Sequence, residues 1–316
     1  MPDGSIDTCI TSPPYWNLRD YGHPEQLGLE PDVDAWVRNL LSICREIARV
    51  LRPGGSLWLN VADSYSIHHR QGAPKKGLLL APQRLALALL GDGWLVRNQV
   101  IWSKTNPMPS SVGDRLSCTY EVMFLLVRSP HYFFDLDAIR QPLTTTAKTR
   151  PNAAVYRYLP DDAIPPDVGF DDDQGLNRLK AEGRAGHPLG KNPGDVWSLP
   201  TAGYRGAHFA TFPLALAERP LLATCPEKVC AACDTPWTRE RVDRSLATPA
   251  LGILRPDCEC NTDSRPGVVL DPFMGAGTVA IAAEQYGRSW IGIELNPTFA
   301  ALARERLAAW RERQHP

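Results

Sequence analysis

The chain has 316 residues, of which 43% are hydrophobic, and its formal net charge is −1. This length and composition suit one large globular domain with insertions, and they exclude a disordered, collagen-like or coiled-coil protein. Since the overall charge is close to neutral, any contact with nucleic acid has to come from local basic patches. No membrane span is expected, because the most apolar stretch, residues 77–96, is interrupted by Gln83, Arg84 and Asp92. The first residues lack the basic start of a signal peptide, so we expect a cytoplasmic protein.

The first part of the chain alternates between strand-like and helix-like segments. Residues 5–11, with the sequence SIDTCIT, lead directly into two prolines that cannot donate to a ladder, which predicts a short buried strand ending there. Residues 32–51 carry apolar side chains at helical spacing and precede Arg52-Pro53-Gly54-Gly55, a helix stop signal. Further segments are expected as a strand at 56–61, a helix at 79–90, a strand at 94–102 and a pair of strands at 121–127 and 132–134. This alternation predicts an α/β sheet with covering helices.

The pattern is lost between residues 136 and 192, which are polar and rich in Pro, Gly and Asp. A loop of that length inside a compact domain is usually functional or disordered. After it we expect ordered structure to return at residues 195–197 and in a helix at 213–223. The last elements are predicted as a strand at 267–270, a helix at 279–286, a strand at 289–295 and a C-terminal helix.

The segment DPFMGAGT lies where a predicted strand turns into a predicted helix. Its small residues let the backbone approach a ligand, and the start of a helix offers free N–H groups. An acidic residue, Glu294, ends the next predicted strand about twenty residues on, where it can bind the ribose hydroxyls of a nucleoside. The candidate cofactor residues are Asp271, Pro272, Phe273, Gly275, Ala276, Gly277, Thr278 and Glu294. The glycine pattern alone is a weak signal, because it also occurs in ordinary turns.

The tetrapeptide Ser12-Pro13-Pro14-Tyr15 suits chemistry on the exocyclic amine of a base. Such an amine is a poor nucleophile, because its lone pair is delocalised into the ring. The Ser12 hydroxyl and the Pro13 carbonyl can accept its hydrogens and draw the lone pair out of conjugation. The prolines stiffen the loop, and Tyr15 offers a flat face on which an extruded base can stack. A proline-bracketed turn with a core tyrosine is the simpler reading of the tetrapeptide by itself.

Five of the eight cysteines lie between positions 225 and 260, whereas Cys9, Cys44 and Cys118 are scattered and are expected to be core thiols. Cys230 and Cys233 form one pair and Cys258 and Cys260 a second, about two dozen residues later, which is close to the spacing of ribbon-type zinc sites. Cys225 is an alternative ligand. Four thiolates leave no open position on the metal, so we expect structural zinc.

Taken together, these motifs resemble a known family. TSPPYWNLRDYG, followed far downstream by LDPFMGAGTVAIAAEQYGRSWIGIEL, is similar to the amino-methylating DNA methyltransferases of bacterial modification systems. More narrowly, the chain looks like their permuted class, in which the catalytic motif precedes the cofactor motif. LRPGGSLWLNVADSY, GWLVRNQVIWSK, TYEVMFLLVRS and HFATFPLALAERPL also look like family blocks, so the resemblance covers most of the chain. The motif order differs from that of the protein-glutamine methyltransferases.

The resemblance implies a doubly wound, Rossmann-like methyltransferase sheet that binds S-adenosylmethionine. It places Ser12, Pro13, Pro14 and Tyr15 at the base pocket. It also places the glycine-loop residues and Glu294 in contact with the cofactor, and Phe212 covers the cofactor's methionine end. We divide the chain into a catalytic half (1–135), a target-recognition region (136–193) and a cofactor-binding half (194–316) with a cysteine-rich insertion (225–263). Duplex DNA is the implied partner, and a cognate restriction endonuclease is a second candidate. Basic residues suited to phosphate contact occur at 68–76 and at Arg178, Lys180, Arg184 and Lys191.

Two alternatives remain open. Serine at the first position of the tetrapeptide favours cytosine N4, but adenine N6 is the rival target. The other alternative is a zinc-containing DNA-binding protein on an inactive methyltransferase scaffold.

In the family a strand and an acidic turn usually precede the catalytic strand, whereas here only Met1-Pro2-Asp3-Gly4 do. We therefore expect either a start further upstream or an incomplete adenine pocket with weak cofactor binding and an unpaired sheet edge.

Overall fold

The computed structural model describes residues 1–142, 187–202, 211–242 and 250–314. In chain order, these residues form β1 (Ile6–Thr11), α1 (Val33–Val50), β2 (Leu51–Val61), α2 (Ala81–Gly91), β3 (Leu95–Lys104), β4 (Tyr120–Val127), β5 (Val196–Leu199), α3 (Leu214–Thr224), β6 (Val229–Cys230), β7 (Thr238–Arg239), β8 (Leu254–Arg255), β9 (Ser264–Arg265), β10 (Val268–Asp271), α4 (Thr278–Gln285), β11 (Ser289–Gly292) and α5 (Pro297–Gln314). No helix in these ranges is long and apolar enough to cross a membrane. Most of the predicted target-recognition region, including Arg178, Lys180 and Arg184, lies outside the described residues.

Seven strands form one sheet in the order β11-β10-β1-β2-β4-β3-β5. The strands from β11 to β2 are parallel, and so are β3 and β5, while β4 runs antiparallel between β2 and β3. The expected α/β sheet is therefore confirmed, with one reversed strand. The ladder between β1 and β2 shifts register after Ile6 and resumes where Thr8 pairs with Ser56. The predicted helix stop, residues 52–55, thus lies within the irregular start of β2.

Helices cover both faces of the sheet, because the strands alternate apolar side chains between two cores. Leu57 and Leu59 of β2, with Phe124 of β4, pack against α1 and α2, where Trp36 and Leu85 are fully buried. The residues between them, such as Trp58, pack on the other face against α3 and α4. This period of two is what a strand buried on both sides requires. Helix α1 begins at Asp32, whose side chain accepts a hydrogen bond from Ala35 N at 2.7 Å.

Three local predictions are wrong. Residues 132–134 are not a strand; Phe133 N donates to the Gly54 carbonyl at 3.0 Å, and β4 pairs instead with β2 and β3. Strand β11 ends at Gly292, so Glu294 lies in the loop after the strand rather than at its end. Cys118 is exposed, whereas Cys9 and Cys44 are buried as expected. In each case the local apolar pattern gave no information about which neighbour the segment would meet.

The described part of the cysteine-rich insertion forms two short antiparallel pairs, β6 with β9 and β7 with β8. Charged side chains join it to the amino end of the sheet. Arg52 Nη1 lies 2.9 Å from the buried Asp7 carboxylate of β1, and Arg52 Nη2 lies 3.4 Å from Asp234. Arg239 pairs with Asp135 at 2.6 Å. The insertion therefore packs at the end of β1 opposite to the tetrapeptide.

Candidate active site

A crevice opens at the centre of the sheet, between the loops that follow β1 and β10. The two strands are adjacent, with Cys9 opposite Leu270, but α1 and α4 lie on opposite faces. Connections that leave adjacent parallel strands toward opposite faces create a ligand-binding crevice at the carboxyl ends. A hydrogen bond of 2.6 Å from Thr11 Oγ1 to Asp271 Oδ1 ties the two strand ends together. The predicted tetrapeptide and the predicted glycine loop therefore meet, although they are far apart in the sequence.

A cavity of about 480 Å³ fills this crevice. Its wall contains nine of the predicted residues, which are Ser12, Pro14, Phe212, Pro272, Phe273, Gly275, Ala276, Thr278 and Glu294. Pro13, Tyr15, Asp271 and Gly277 are not part of the wall, and they lie next to residues that are. The Pro14 carbonyl accepts a hydrogen bond of 2.9 Å from Trp36 Nε1, so α1 holds the tetrapeptide in place. One cavity is thus shared by the tetrapeptide and the glycine loop.

The rest of the cavity wall was not predicted. It includes Tyr21, His23, Gln26, Ile43, Asn296 and Phe299, most of which lie in the loop after the tetrapeptide or at the start of α5. The rings of Tyr21 and Phe299 meet edge to face at 6.2 Å, and Asn296 Nδ2 donates to the Tyr21 carbonyl at 3.0 Å. Aromatic side chains of this kind can enclose a flat ring system. The Asn-Pro sequence that opens α5 was the available signal, but its position beside Tyr21 depends on the tertiary fold.

The glycine loop is compact for steric reasons. Gly275 and Gly277 have φ angles of +50° and +76°, which side-chain-bearing residues rarely adopt. Gly292, at the end of β11, faces Met274 so closely that a Cβ atom there would lie 2.0 Å from the Met274 sulfur. Met274 N also donates to the Ile293 carbonyl at 2.9 Å. The loop therefore packs directly on the end of β11.

Two acidic residues lie at the glycine-loop end of the crevice. Burial raises the pKa of Asp271 to about 7, against the effect of hydrogen bonds from Thr11 and Phe273 N. Glu294 accepts hydrogen bonds from Gly275 N at 2.8 Å and from Asn296 N at 2.9 Å. Both carboxyls thus brace the loop, and Glu294 also reaches the cavity wall. The oxygens of both carboxyls are hydrogen-bond acceptors.

A polar cluster surrounds the hydroxyl of Tyr15. Tyr15 Oη donates to Glu121 Oε2 at 2.6 Å and lies 2.9 Å from Ser12 Oγ. Asn60 Nδ2 lies 2.7 Å both from Tyr15 Oη and from Glu121 Oε2. Lys104 Nζ lies 2.6 Å from Glu121 Oε1. Burial and the nearby Glu121 carboxylate raise the pKa of Tyr15 well above its usual value, so the side chain is a neutral phenol.

Sequence reasoning missed Asn60, Lys104 and Glu121. Asn60 lies near the end of β2, Lys104 at the end of β3 and Glu121 at the start of β4. Because β4 is antiparallel to β2 and β3, its start lies beside their carboxyl ends, so the three residues share one edge of the sheet. Asn60 is fully buried and Glu121 is 8% exposed. Polar residues interrupting otherwise apolar strands were a signal that could have found these two.

Four cysteine thiols meet in the insertion, as the spacing predicts. The Sγ atoms of Cys230, Cys233, Cys258 and Cys260 all lie within 4.8 Å of one another. Cys225, the alternative ligand, is not part of this group and is buried at the end of α3. Four thiols at such distances form a donor set of the kind that holds zinc in structural sites.

Comparison with known proteins gives a consistent result. The sequence model of the family described as DNA methylase, the N6 and N4 methyltransferases, matches residues 6–305. Among curated proteins, the chain is 32% identical to the Type II methyltransferase M.SfiI of Streptomyces fimbriatus, over 94% of this chain and 85% of that protein. It is also 32% identical to M.XycI of Xanthomonas campestris pv. cyanopsidis, over 97% of this chain and 83% of that protein.

Two solved structures share the fold. The PvuII cytosine-N4-specific DNA methyltransferase superposes with a TM-score of 0.55 at 16% identity, over 96% of this chain and 80% of its own. TTHA0409 from Thermus thermophilus, in complex with S-adenosyl-L-methionine, superposes with a TM-score of 0.54 at 24% identity, over 98% of this chain and 88% of its own.

Proposed function

The chain belongs to the DNA methylase family of N6 and N4 amino-methyltransferases, and we propose that it methylates the N4 amine of cytosine in duplex DNA. The methyl donor is S-adenosylmethionine. The observation that carries the proposal is the single cavity whose wall contains Ser12 of the tetrapeptide together with Gly275 and Glu294 of the cofactor region. Methyl transfer needs donor and acceptor in contact, and a shared cavity provides this without a covalent enzyme intermediate.

The residues present fit S-adenosylmethionine. The compact turn at Gly275 and Gly277 admits a ligand close to the backbone, and Glu294 supplies acceptors for ribose hydroxyls. The Asp271 carboxyl lies next to the wall residue Phe273, and its ionised form would attract the ammonium group. Phe212 and Phe299 supply apolar contact. When bound, the cofactor supplies a methyl group already activated by its sulfonium charge. The likeness to TTHA0409, whose structure contains S-adenosyl-L-methionine, supports this assignment.

The tetrapeptide residues activate the amine. Ser12 Oγ and the Pro13 carbonyl accept its hydrogens, which moves the lone pair out of the ring and toward the methyl group. The base reaches them by leaving the duplex, because the amine is inaccessible inside a base pair. The Tyr15 ring offers the stacking surface, with its hydroxyl anchored to Glu121. Cytosine is favoured over adenine because the first residue of the motif is serine, as in our sequence prediction, and because PvuII methyltransferase is described as cytosine-N4-specific.

The carboxyl edge of the sheet is the proposed DNA face. The segment 62–80 follows β2 there, and its basic side chains are exposed, namely those of His68, His69, Arg70, Lys75 and Lys76. Exposed basic side chains beside the base pocket suit phosphate contact. We assign sequence selection to residues 136–193, of which Lys191 is described and exposed. The domain division made from the sequence remains part of this proposal, as do a cytoplasmic location and a cognate restriction endonuclease as a second partner.

We also propose that Cys230, Cys233, Cys258 and Cys260 bind one structural zinc ion in a ribbon-like module. The module packs at Asp7, near the start of β1, whereas Ser12 follows the end of that strand. Five residues of extended chain separate the two by roughly 16 Å. The metal is therefore remote from the base pocket. Reduced, chelator-free protein should contain about one zinc per chain, and Cys233→Ser should lower both zinc content and thermal stability. Absence of zinc from the wild-type protein would refute the site.

DNA from a host that expresses the chain tests the main proposal. Nucleoside mass spectrometry should detect N4-methylcytosine, and the matched Ser12→Ala variant should abolish it. Detection of N6-methyladenine instead would select the rival target. If neither base appears and purified protein does not bind S-adenosylmethionine, the chain is an inactive scaffold and the proposal fails.

A further inference from the structure

The hydrogen bonds around Tyr15 run in one direction, and Glu121 determines it. A carboxylate accepts hydrogen bonds and cannot donate one, whereas a tyrosine hydroxyl has a single hydrogen. That hydrogen is directed to Glu121 Oε2 over 2.6 Å. The contact of 2.9 Å between Tyr15 Oη and Ser12 Oγ then requires Ser12 to be the donor. The Ser12 hydrogen is therefore turned toward Tyr15. Asn60 Nδ2 also donates to Ser12 Oγ over a long 3.4 Å, which leaves one Ser12 lone pair for the amine.

The other members of the cluster enforce the same direction. Asn60 Nδ2 donates to Glu121 Oε2 and to Tyr15 Oη, while Asn60 Oδ1 has no partner within the described residues. Lys104 Nζ pairs with the other carboxylate oxygen, Oε1, and so leaves Oε2 to Tyr15 and Asn60. The hydrogens of the Ser12 and Tyr15 hydroxyls thus form a chain that ends at the Glu121 carboxylate.

This direction matters to the reaction. The target amine is a hydrogen-bond donor, so Ser12 helps it only by presenting an oxygen lone pair. If the Ser12 hydrogen were turned toward the amine, two hydrogen-bond donors would face each other and no hydrogen bond could form. We propose that Glu121, oriented by Lys104, is a positioning residue that keeps Ser12 an acceptor for the target amine. This inference rests on the proposed function.

Glu121→Gln tests the direction while changing little else. A glutamine side chain has one carbonyl oxygen and one amide nitrogen, and Lys104 attracts the oxygen to the Oε1 position. The amide nitrogen then faces Tyr15 and donates to it. Tyr15 donates to Ser12 in turn, and the Ser12 hydrogen is displaced toward the amine. We expect kcat to fall about a hundredfold, as when an enzyme loses one pre-organised polar group.

A second substitution should reverse this loss. In Lys104→Met/Glu121→Gln the cation that orients the amide is gone, so the glutamine can turn its oxygen toward Tyr15 and Asn60. We expect kcat to recover to within about tenfold of wild type, the scale of one hydrogen bond. Lys104→Met alone keeps the carboxylate and therefore the direction, and its loss should also stay within about tenfold. A merely structural ion pair would give a different result in Tyr15→Phe, because that variant keeps the pair between Lys104 and Glu121 and would then keep its activity.

The measurements are kcat on a duplex oligonucleotide at saturating S-adenosylmethionine, cofactor affinity by calorimetry, and melting temperature. Cofactor affinity should be unchanged in all variants. If Glu121→Gln does not fold, Tyr15→Phe is the alternative test, because phenylalanine keeps the ring but lacks the hydroxyl that links Glu121 to Ser12. This variant should lose activity to a similar extent. Wild-type activity in Glu121→Gln or Tyr15→Phe, or a double variant no better than Glu121→Gln, would overturn the inference. An inactive wild-type protein would instead refute the proposed function, and this inference with it.

Discussion

The titration of Asp271 should make both stability and cofactor binding depend on pH. Its carboxyl is 3% exposed at the end of β10. Burial is the main cause of a pKa of about 7 against a usual value of 3.8, and the nearby Glu294 carboxylate adds to it. Hydrogen bonds from Thr11 and Phe273 N act in the opposite direction but are weaker.

The sign of the effect follows from this upward shift. Below pH 3.8 the carboxyl is protonated in both the folded and the unfolded chain. Between pH 3.8 and 7 the unfolded chain releases its proton while the folded protein retains it, so the free energy of unfolding falls as pH rises. Each pH unit lowers it by about 1.4 kcal/mol. Above pH 7 the destabilisation levels off at about 4 kcal/mol, which corresponds to the shift from 3.8 to about 7.

Asp271→Asn isolates this contribution, because asparagine keeps an acceptor for Thr11 and Phe273 N but does not titrate. We expect the variant to be more stable than wild type without cofactor, and the difference to grow by about 2.5 kcal/mol from pH 5 to pH 8. Chemical denaturation at both pH values measures it. Other buried carboxyls such as Asp7 are common to both proteins and cancel in the comparison. An equal difference at pH 5 and pH 8 would refute the reasoning.

The same group couples to cofactor binding. S-adenosylmethionine is cationic and favours the ionised carboxyl, so wild-type affinity should rise up to tenfold per pH unit toward pH 7 and then level off. Asp271→Asn should bind more weakly with little pH dependence. Calorimetry in buffers of different ionisation enthalpy would show one proton released on binding to wild type below pH 7. The same pH profile in both proteins would mean that Asp271 does not meet the cofactor charge.

Two further changes test the crevice. Tyr15→Ala should reduce kcat about tenfold to a hundredfold through lost base stacking, while the Kd for S-adenosylmethionine stays the same. Methylation at the wild-type rate would disprove the role of Tyr15. Gly292→Ala should weaken cofactor binding, because its Cβ would lie 2.0 Å from the Met274 sulfur and displace the loop that lines the cavity. Adding Met274→Ala should restore affinity, and the absence of any loss in the single variant would show that the loop adapts without cost.

Features formed by residues that are close together in the chain could be predicted from the amino-acid sequence. Ser12-Pro13-Pro14-Tyr15 and the glycine loop are short segments in which residue type and backbone stereochemistry already limit what the loop can do. The helix at α1 follows from apolar spacing and the cap at Asp32, which are local properties. The four-cysteine group was also predictable, because metal ligands come in paired spacings.

The residues that surround those motifs could not be predicted locally, because they are brought together by the packing of distant elements. Asn60 and Glu121 are 61 positions apart, and they meet because β4 pairs antiparallel with β2. That strand order depends on the packing of both faces at once, and no local pattern encodes it. The contact between Tyr21 and Phe299 has the same origin, since it joins the loop after β1 to the start of α5. Local periodicity specifies where a strand lies, whereas its neighbours in the sheet follow from the burial of the whole core.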